Sequence, residues 1–423
     1  MLVFKFGGAS VSNADAVKNL AKILAKYDDN IIVVVSAMGK TTNALEQLTD
    51  LYVSRKQDEL EKSFENIRAY HYYIMQGLFP DDSHPVYEQV KKIFKNMQER
   101  FEGSPTMNYD FDYDQIVSNG EMLSTTIVAA YLNEAGIAAG WKDIRESLIS
   151  DDTYREGRID WNLSPVLVKN NFVFNKVKVL VTQGFLAATV NNITTTLGRE
   201  GSDYTAAILA YLLDIPKVVI WKDVPGVLNA DPKWFDNTIL LPKLSYFDAI
   251  ELAYYGASVI HPKTIQPLKK KNISLYVKSF VHPDEPGSVI GNDSYDKLVP
   301  SFIFKMNQVL IKIFPRDFSF IAEDNLETII GIFARTHLKI NLMQNSAVSF
   351  MVCVNNDRMK IPQVIKALED HFTTETENGL ELVTIRYYDE KTIKRVTVAK
   401  EILLEQHNLT TAQMVMRDKP QSS

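Results

Sequence analysis

The chain has a single cysteine among 423 residues, Cys353, set between apolar neighbours. A disulfide framework and a thiolate metal cluster are therefore excluded. No apolar run approaches the ~20 residues that a membrane-spanning helix needs. The opening MLVFKFGGAS reads as a buried strand running into a glycine turn. It lacks the charged start and long apolar region of a signal peptide, so a cytoplasmic location is expected. Excess positive charge is absent too. The formal net charge is -6, which excludes a general affinity for nucleic acid. There is no low-complexity segment, no P-loop, no GxGxxG fingerprint, no nucleophile elbow, no protein-kinase signature and no zinc signature. His71, His84, His282, His337, His371 and His407 stand in no ligand spacing, so no metal site built from side chains is expected.

What is present is ordinary in bulk and specific in pattern. Hydrophobic residues make up 46% and charged residues 23%, as in soluble globular proteins. The length suffices for two or three domains. The most informative stretch is Thr194 to Leu213. A β-branched run (Thr194, Thr195, Thr196) breaks at Gly198, and a polar loop follows (Arg199, Glu200, Gly201, Ser202, Asp203). Ala206, Ala207, Leu209, Ala210 and Leu213 then recur at helical spacing. Strand, glycine loop and helix place backbone N–H groups where they attract anions. Lys5-Phe6-Gly7-Gly8 forms a second such turn. Two sites of this kind suggest a small anionic substrate meeting a phosphate-bearing one.

The organisation follows from periodicity. Leu2 to Phe6 and Ile31 to Val35 read as buried strands around an amphipathic helix from Ala14 to Tyr27. Val177 to Thr182 and Lys217 to Trp221 repeat the strand pattern. Apolar strands alternating with helices indicate a mostly parallel α/β sheet sandwiched by helices. A charged helical insertion covers about 41–110 and is interrupted near Phe79-Pro80. From Gln308 the pattern becomes strand (Val309 to Phe314), helix (Leu326 to His337), strand (Lys339 to Met343), strand (Ser349 to Val354), helix (Ile361 to Phe372), strand (Leu380 to Tyr388). That β-α-β-β-α-β order is a ferredoxin-like α+β unit. A helix around Thr397 to Gln406 and a strand at Ala412 to Met416 complete the expectation. The boundaries are 1–297 for the first domain and 298–423 for the second, which holds one full unit and a shortened one.

Ligands of parallel sheets bind beyond the carboxyl ends of strands. Five polar clusters fall there: Lys5 to Gly8, Ser36 to Thr42, Gln183-Gly184-Phe185, Gly198 to Asp203, and Lys222 to Asp231. Taken singly each has a plain explanation. Ser202 and Asp203 would serve as helix caps, worth about 1 kcal/mol each, and Pro225-Gly226 is a sufficient turn. Their shared edge is what points to function.

KFGGAS at 5–10, SNGEMLS at 118–124, VTQGF at 181–185, TTTLGREGSD at 194–203, WKDVPGVLNADPK at 221–233 and GASVIHP at 256–262 resemble aspartokinase, in that family's order and approximate spacing. The ferredoxin-like tail resembles the family's ACT regulatory region. The resemblance implies the amino acid kinase fold. It implies ATP-dependent phosphorylation of the side-chain carboxylate of L-aspartate, with feedback by an end-product amino acid, lysine or threonine. The acceptor carboxylate, with a pKa near ~4, is already ionised at neutral pH, so no general base is needed. The obstacle is bringing one anion to another, which calls for cations and N–H groups aimed at the transferring group. Lys5 and Asp203 are the expected catalytic pair. Thr42, Glu121, Phe185, Arg199 and Ser202 match the aspartate pocket, with Arg199 on the α-carboxylate and Glu121 on the ammonium. Gly7, Gly8, Ser36, Lys222, Asp223, Gly226, Asp231, Lys233 and Ser258 match the ATP site. Mg²⁺ is expected on ATP oxygens and water, without a protein ligand. Asp324, Asn341 and Asn345 match effector positions, and ACT pairing implies a homodimer or larger assembly.

Departures from the family pattern sharpen the expectations. Ala9 stands for a Thr, Glu200 for a Gly, Lys222 for a Thr, Leu228 for a Tyr and Lys233 for an Arg. Ser258 stands where a phosphate-contacting Lys is usual, and Lys222 or Lys263 is expected to supply that charge. In the tail, Glu323-Asp324-Asn325 replaces a glycine-aromatic pair; Asp324 is expected as a helix cap or, with Glu323, as a group that favours an amino-acid ammonium. Asn341 stands where an acidic residue is common. Two alternatives stay open here: another carboxylate kinase acting on glutamate or N-acetylglutamate, and a non-catalytic amino-acid sensor.

Overall fold

The structure, a computed structural model, describes residues 1–257, 260–292, 299–317 and 319–419. Contact clustering divides the chain into two units. The first is Met1–Val227, Leu240–Ile250 and Val259–Tyr295; the second is Leu228–Ile239, Glu251–Ser258 and Asp296–Ser423, taking the described residues of each.

The unbroken apolar runs become central strands because both of their faces are covered. In the first unit, β1 (Leu2–Phe6) and β2 (Ile31–Val35) flank α1 (Ala14–Ala25). Asn13 caps α1 by accepting from the Ala16 amide, and Val17, Leu20, Ile23 and Leu24 face inward. Five helices follow with no strand between them: α2 (Thr41–Val53), α3 (Gln57–Leu78), α4 (Pro85–Glu102), α5 (Tyr109–Val117) and α6 (Asn119–Glu134). The helical segment expected over about 41–110 thus runs on into α5 and α6. Next come β3 (Ala139–Lys142), α7 (Ser164–Asn171), β4 (Val179–Gln183), β5 (Leu186–Ala188), β6 (Thr194–Thr196), α8 (Gly201–Leu212) and β7 (Lys217–Lys222). The unit is completed by β8 (Lys243–Ser245), α9 (Tyr246–Tyr255), α10 (Pro262–Lys270), β9 (Ser274–Ser279) and β10 (Ser288–Gly291), the last turn of α9 clustering with the second unit.

Eight strands form one sheet in the order β3-β4-β2-β1-β7-β9-β10-β8. Every pair is parallel except β9 with β10. The register aligns Phe6 with Val35 and Trp221, and Val35 with Gln183. The carboxyl ends of β1, β2, β4 and β7 therefore lie side by side, and four of the five expected polar clusters begin at that edge; the fifth, Gly198 to Asp203, follows β6, which pairs with β5 outside this sheet.

The second unit is a six-stranded antiparallel sheet, ordered β12-β13-β11-β14-β16-β15. Its elements are β11 (Ser301–Pro315), α11 (Glu323–Arg335), β12 (Ile340–Asn345), β13 (Phe350–Asn355), α12 (Lys360–Leu368), β14 (Phe372–Arg386), α13 (Glu390–Val396), β15 (Lys400–His407) and β16 (Thr411–Asp418). The β-α-β-β-α-β order holds from β11 to β14. Val309, Ile311 and Ile313 pack against Ile329, Phe333, Val364 and Leu368 as its core.

Two expectations are corrected here. No helix spans Thr397 to Gln406. The helix lies earlier, where Asp389 and Thr392 form a capping box, and Lys400–His407 pairs with β16. Ile402, Leu403 and Leu404 are consecutive apolar residues without the alternation of a strand, where a register shift lies between Ile402 and Leu404. Asp324 is also no cap: α11 starts at Glu323, and Ala322 precedes it without a side-chain bond.

Candidate active site

Lys5 is the penultimate residue of β1, and its ammonium lies close to the glycine turn. A Cβ on Gly7 would stand 3.5 Å from Nζ. Nζ lies 2.7 Å from Asp203 Oδ1, with side chains only 11% and 3% exposed. This is an ion pair by distance, without hydrogen-bond alignment at Oδ1. Lys222, at the end of β7, brings a second ammonium to 3.9 Å from Asp203 Oδ2. One carboxylate is thus shared by two cations.

The glycines permit backbone approaches that a side chain would forbid. A Cβ on Gly8 would meet Gly39 O at 2.5 Å and Ala37 O at 2.8 Å. The Gly39 amide donates to Gly8 O at 2.9 Å, which joins the turn after β1 to the turn after β2. A Cβ on Gly184 would fall 2.4 Å from Ser202 Cβ, so the end of β4 rests against the first turn of α8.

The loop between β6 and α8 is strained. Gly198 has φ 77° and Glu200 φ 55°. A non-glycine residue in that region costs roughly 1–2 kcal/mol, and Phe185, across the loop, has φ 69°. Such outliers gather where geometry serves a site. The Phe185 amide is held by Thr205 Oγ1 at 3.0 Å. Ser202 and Asp203 lie within α8 rather than capping it, because Glu200 is the capping residue and makes no side-chain cap bond. Glu200 Oε2 is buried with no hydrogen-bond partner among the described residues. Arg199 is exposed and makes no ion pair among them. From α10, Lys263 places Nζ 3.8 Å from where a Cβ of Gly198 would be.

Glu121, in the first turn of α6, is 2% exposed. Its Oε1 accepts from the Ala37 amide at 3.1 Å, while Oε2 has no partner among the described residues. Burial pushes its carboxyl up to about 8, against the opposing pull of that hydrogen bonding and of Lys5. A buried carboxyl with one oxygen lacking a partner among the described residues can receive a positively charged group, which would favour its ionised form.

The remaining candidates are less concentrated. The Ser36 amide donates to Phe6 O at 3.1 Å, and Thr42 sits partly buried in the first turn of α2. Asp223 is exposed beyond β7. Gly226 has φ 155°, and a Cβ there would strike Ser288 Oγ at 2.6 Å. Asp231 and Lys233 belong to the second unit, where Asp231 Oδ1 accepts from the Lys233 amide at 2.9 Å. Ser258 lies outside the described residues. Asn341 is buried in the second sheet, its amide group bonded to Lys305, Gln308 and Asn355 at 3.0, 2.9 and 2.8 Å. Asn345 is exposed at the end of β12, reaching Ile321 O at 3.4 Å. The sequence reading passed over Asp114 and Arg155, which hold the approach to the glycine loop. Asp110, Asp112 and Asp114 look like a solvated helix face, and no spacing rule links residue 155 to residue 198.

Among the described residues no three His, Cys, Asp or Glu side chains are grouped to hold a metal ion. Asp203, the carboxylate between the rim lysines, already faces two ammonium groups.

The Amino acid kinase family pattern matches residues 1–279. Aspartokinase 3, chloroplastic, of Arabidopsis thaliana is 30% identical over 393 residues, spanning 89% of this chain and 68% of that protein. This chain belongs to the amino acid kinase family, among the aspartokinases. Lysine-sensitive aspartokinase 3 of Escherichia coli (strain K12) is 29% identical over 425 residues, covering 97% of this chain and 92% of its own. A crystal structure of E. coli aspartokinase III with aspartate and ADP, called the R-state, matches with a TM-score of 0.83 and 26% identity over 98% of this chain and 96% of that one. The same enzyme with lysine and aspartate, called the T-state, matches with a TM-score of 0.82 and 26% identity over 98% and 95%. The amino acid kinase fold with a ferredoxin-like C-terminal region, expected from the motifs, is the fold found.

Proposed function

We propose that this chain is an aspartate kinase, transferring the γ-phosphoryl group of ATP to the side-chain carboxylate of L-aspartate. The carrying observation is the rim itself: Lys5 and Lys222 about Asp203, beside the orphaned Oε2 of Glu121. An attacking carboxylate oxygen forms a bond to γ-phosphorus as the bond to the ADP oxygen breaks. No proton moves, since the acceptor is already ionised. What the chain must supply is charge complementarity as negative charge spreads over the transferring group. Lys5 and the amides of Gly7 and Gly8 stand at the end of β1 for that purpose. Lys222 or Lys263 takes over the charge that Ser258 does not carry.

Aspartate is gripped at its other end. Arg199, without an ion-pair partner among the described residues, offers a bidentate fork to the α-carboxylate. Glu121 receives the ammonium, and Thr42, Phe185 and Ser202 complete the pocket. Ser36, Asp223 and Gly226 belong to the nucleotide side of this reading; Asp231, Lys233 and Ser258 are assigned to it by their motifs alone. Mg²⁺ on the nucleotide oxygens supplies charge neutralisation when bound.

In the same reading, 1–297 is the catalytic domain and 298–423 a regulatory region that binds an amino-acid effector, lysine first. Asp324, Asn341 and Asn345 are its candidate contacts. Support comes from a relative's structure holding lysine together with aspartate. The strand β12 stands at the edge of the second sheet, a place for the edge-to-edge pairing of a homodimer. A cytoplasmic location is part of the reading; among the described residues no helix is long and apolar enough to cross a membrane.

The test is a hydroxamate assay with ATP and Mg²⁺, offering aspartate or glutamate. Aspartyl hydroxamate is expected. A glutamyl product would shift the assignment to another carboxylate kinase, and no product would make the chain a sensor.

A further inference from the structure

Among the described residues, the strand that feeds the glycine loop is paired on one edge: β6 pairs with β5 and with no other strand. Its outer edge is closed by a helix and a turn instead. Gln115 Nε2 donates to Thr194 O at 2.8 Å. The Thr196 amide and Oγ1 donate to Asp114 Oδ2 and Oδ1 at 2.9 and 2.7 Å. The Gly157 amide donates to Thr196 O at 2.8 Å. Two neighbouring residues of α5 thus do for β6 what an adjacent strand would do.

Asp114 also fixes the turn that underlies Gly198. Its two oxygens accept from the Arg155 amide at 3.2 and 3.0 Å. Arg155 has φ 66°, a left-handed conformation that needs such support. Its carbonyl lies 3.2 Å from where a Cβ of Gly198 would be. Its guanidinium leaves Asp114 and stacks on Tyr113 at 4.3 Å, then reaches Asp110 at 3.4 Å and Glu46 of α2 at 3.6 Å. The helix that opens with Thr41 and Thr42 is thereby tied to the loop that carries Arg199.

We propose that Asp114 is a positioning residue: its carboxylate, bonded to Thr196 and the Arg155 amide, holds β6 and the Arg155 turn where they present Gly198 and Arg199 to the substrate. The inference rests on the kinase reading above and extends it to a residue that touches neither substrate. Asp114 is fully buried and every bond it accepts comes from a neutral donor, so its hold depends on its staying ionised. Burial pushes its carboxyl up to about 6, with Asp110 adding to the rise and the bonds from Arg155 and Thr196 opposing it. The charged and titratable groups around it are Asp110 and Tyr113 on its own helix, Tyr154 and Arg155 on the facing turn, and Glu46 of α2 through Arg155. Below pH 6 the carboxyl takes a proton, one acceptor becomes a donor facing other donors, and the clamp opens.

The experiment compares the full chain with Asp114→Asn, which keeps the shape and mimics the protonated form. The expected result is a KM for aspartate raised at least tenfold, with the KM for ATP within twofold. The wild type should lose kcat/KM for aspartate on acidification through pH 6, and the variant should lack that limb. Amide hydrogen exchange over 153–157 and 194–201 should quicken in the variant, and in the wild type the protection factors there, with the pH dependence of intrinsic exchange removed, should drop below pH 6. Should the variant fail to fold, Thr196→Val removes only the Oγ1 bond and is expected to raise the KM for aspartate two- to fivefold. An active wild type together with unchanged KM and unchanged exchange would overturn the positioning role. A wild type inactive on aspartate would instead remove the kinase reading, and the exchange data alone would then decide the clamp.

Discussion

Lys5 and Asp203, distant in the chain, meet as a nearly dry ion pair at 2.7 Å, with Lys222 as the third member. β1 and β7 are register neighbours, so both lysines leave the sheet at one edge, and α8 brings the carboxylate to them. The acid holds Lys5 in place, with a second ammonium at 3.9 Å from its other oxygen.

Glu121 makes the first prediction. Its carboxyl, held near 8 by burial, is largely protonated in the free protein at pH 7. An ammonium arriving at Oε2 favours the ionised form, so aspartate binding should release close to one proton at pH 7 and none above pH 9. Calorimetry in buffers of different ionisation enthalpy measures this. Glu121→Gln should abolish the release and weaken aspartate binding by about 1.5–3 kcal/mol, the range for a charged hydrogen bond. The sign for stability follows from linkage. The folded value lies above the unfolded one, so the native state holds more protons between them. Stability should fall as pH rises from about 4.5 to about 8, less steeply in Glu121→Gln.

The missing phosphate lysine makes the second. Lys222→Ala and Lys263→Ala should each lower kcat by about tenfold or more, a modest share of the ~10²–10³ that a lost transition-state donor can cost. Near-normal turnover in both would remove the idea that they compensate for Ser258.

Packing makes the third. Gly184→Ala puts a methyl group 2.4 Å from Ser202 Cβ and 2.7 Å from its Cα. Backbone must shift, at a cost of about 1–3 kcal/mol for overpacking. Thermal unfolding should register the loss, and the KM for aspartate should rise because Ser202 and Asp203 move together.

Much of this site was legible in the sequence because its parts sit at the ends of strands buried on both faces. LVFKF and IIVVV admit no other reading, and the polar residues that follow them had to share an edge. Contacts between distant segments were not legible. Lys263 lies beside Gly198 only because α10 packs on α8, and Asp114 is hidden in a run of acids that looks solvated. The start of α8 was misjudged, since Gly201 enters the helix from a left-handed Glu200 that local propensity would not choose. In the tail, strand β15 was mistaken for a helix because its bulge erased the period of two. The expected polar effector position, Asn341, is held in a buried network by Lys305, which no local pattern announces.

Regulation makes the fourth prediction. Lysine at saturating concentration should inhibit aspartate phosphorylation and raise the melting temperature, by about 2.7 kcal/mol of stabilisation at a hundredfold excess over Kd. If neither lysine nor threonine, alone or together, altered activity or melting, feedback through the second unit would be ruled out.

The cationic rim is tested most directly by the turnover number of Lys5→Met, measured beside aspartate and ADP binding. Lys222 still faces Asp203 in that variant, so the carboxylate is not left alone and the fold should stand. The account predicts a fall in kcat of about 10²–10³ with both affinities within a few-fold of the wild type. A kcat near the wild-type value, with binding intact, would contradict it.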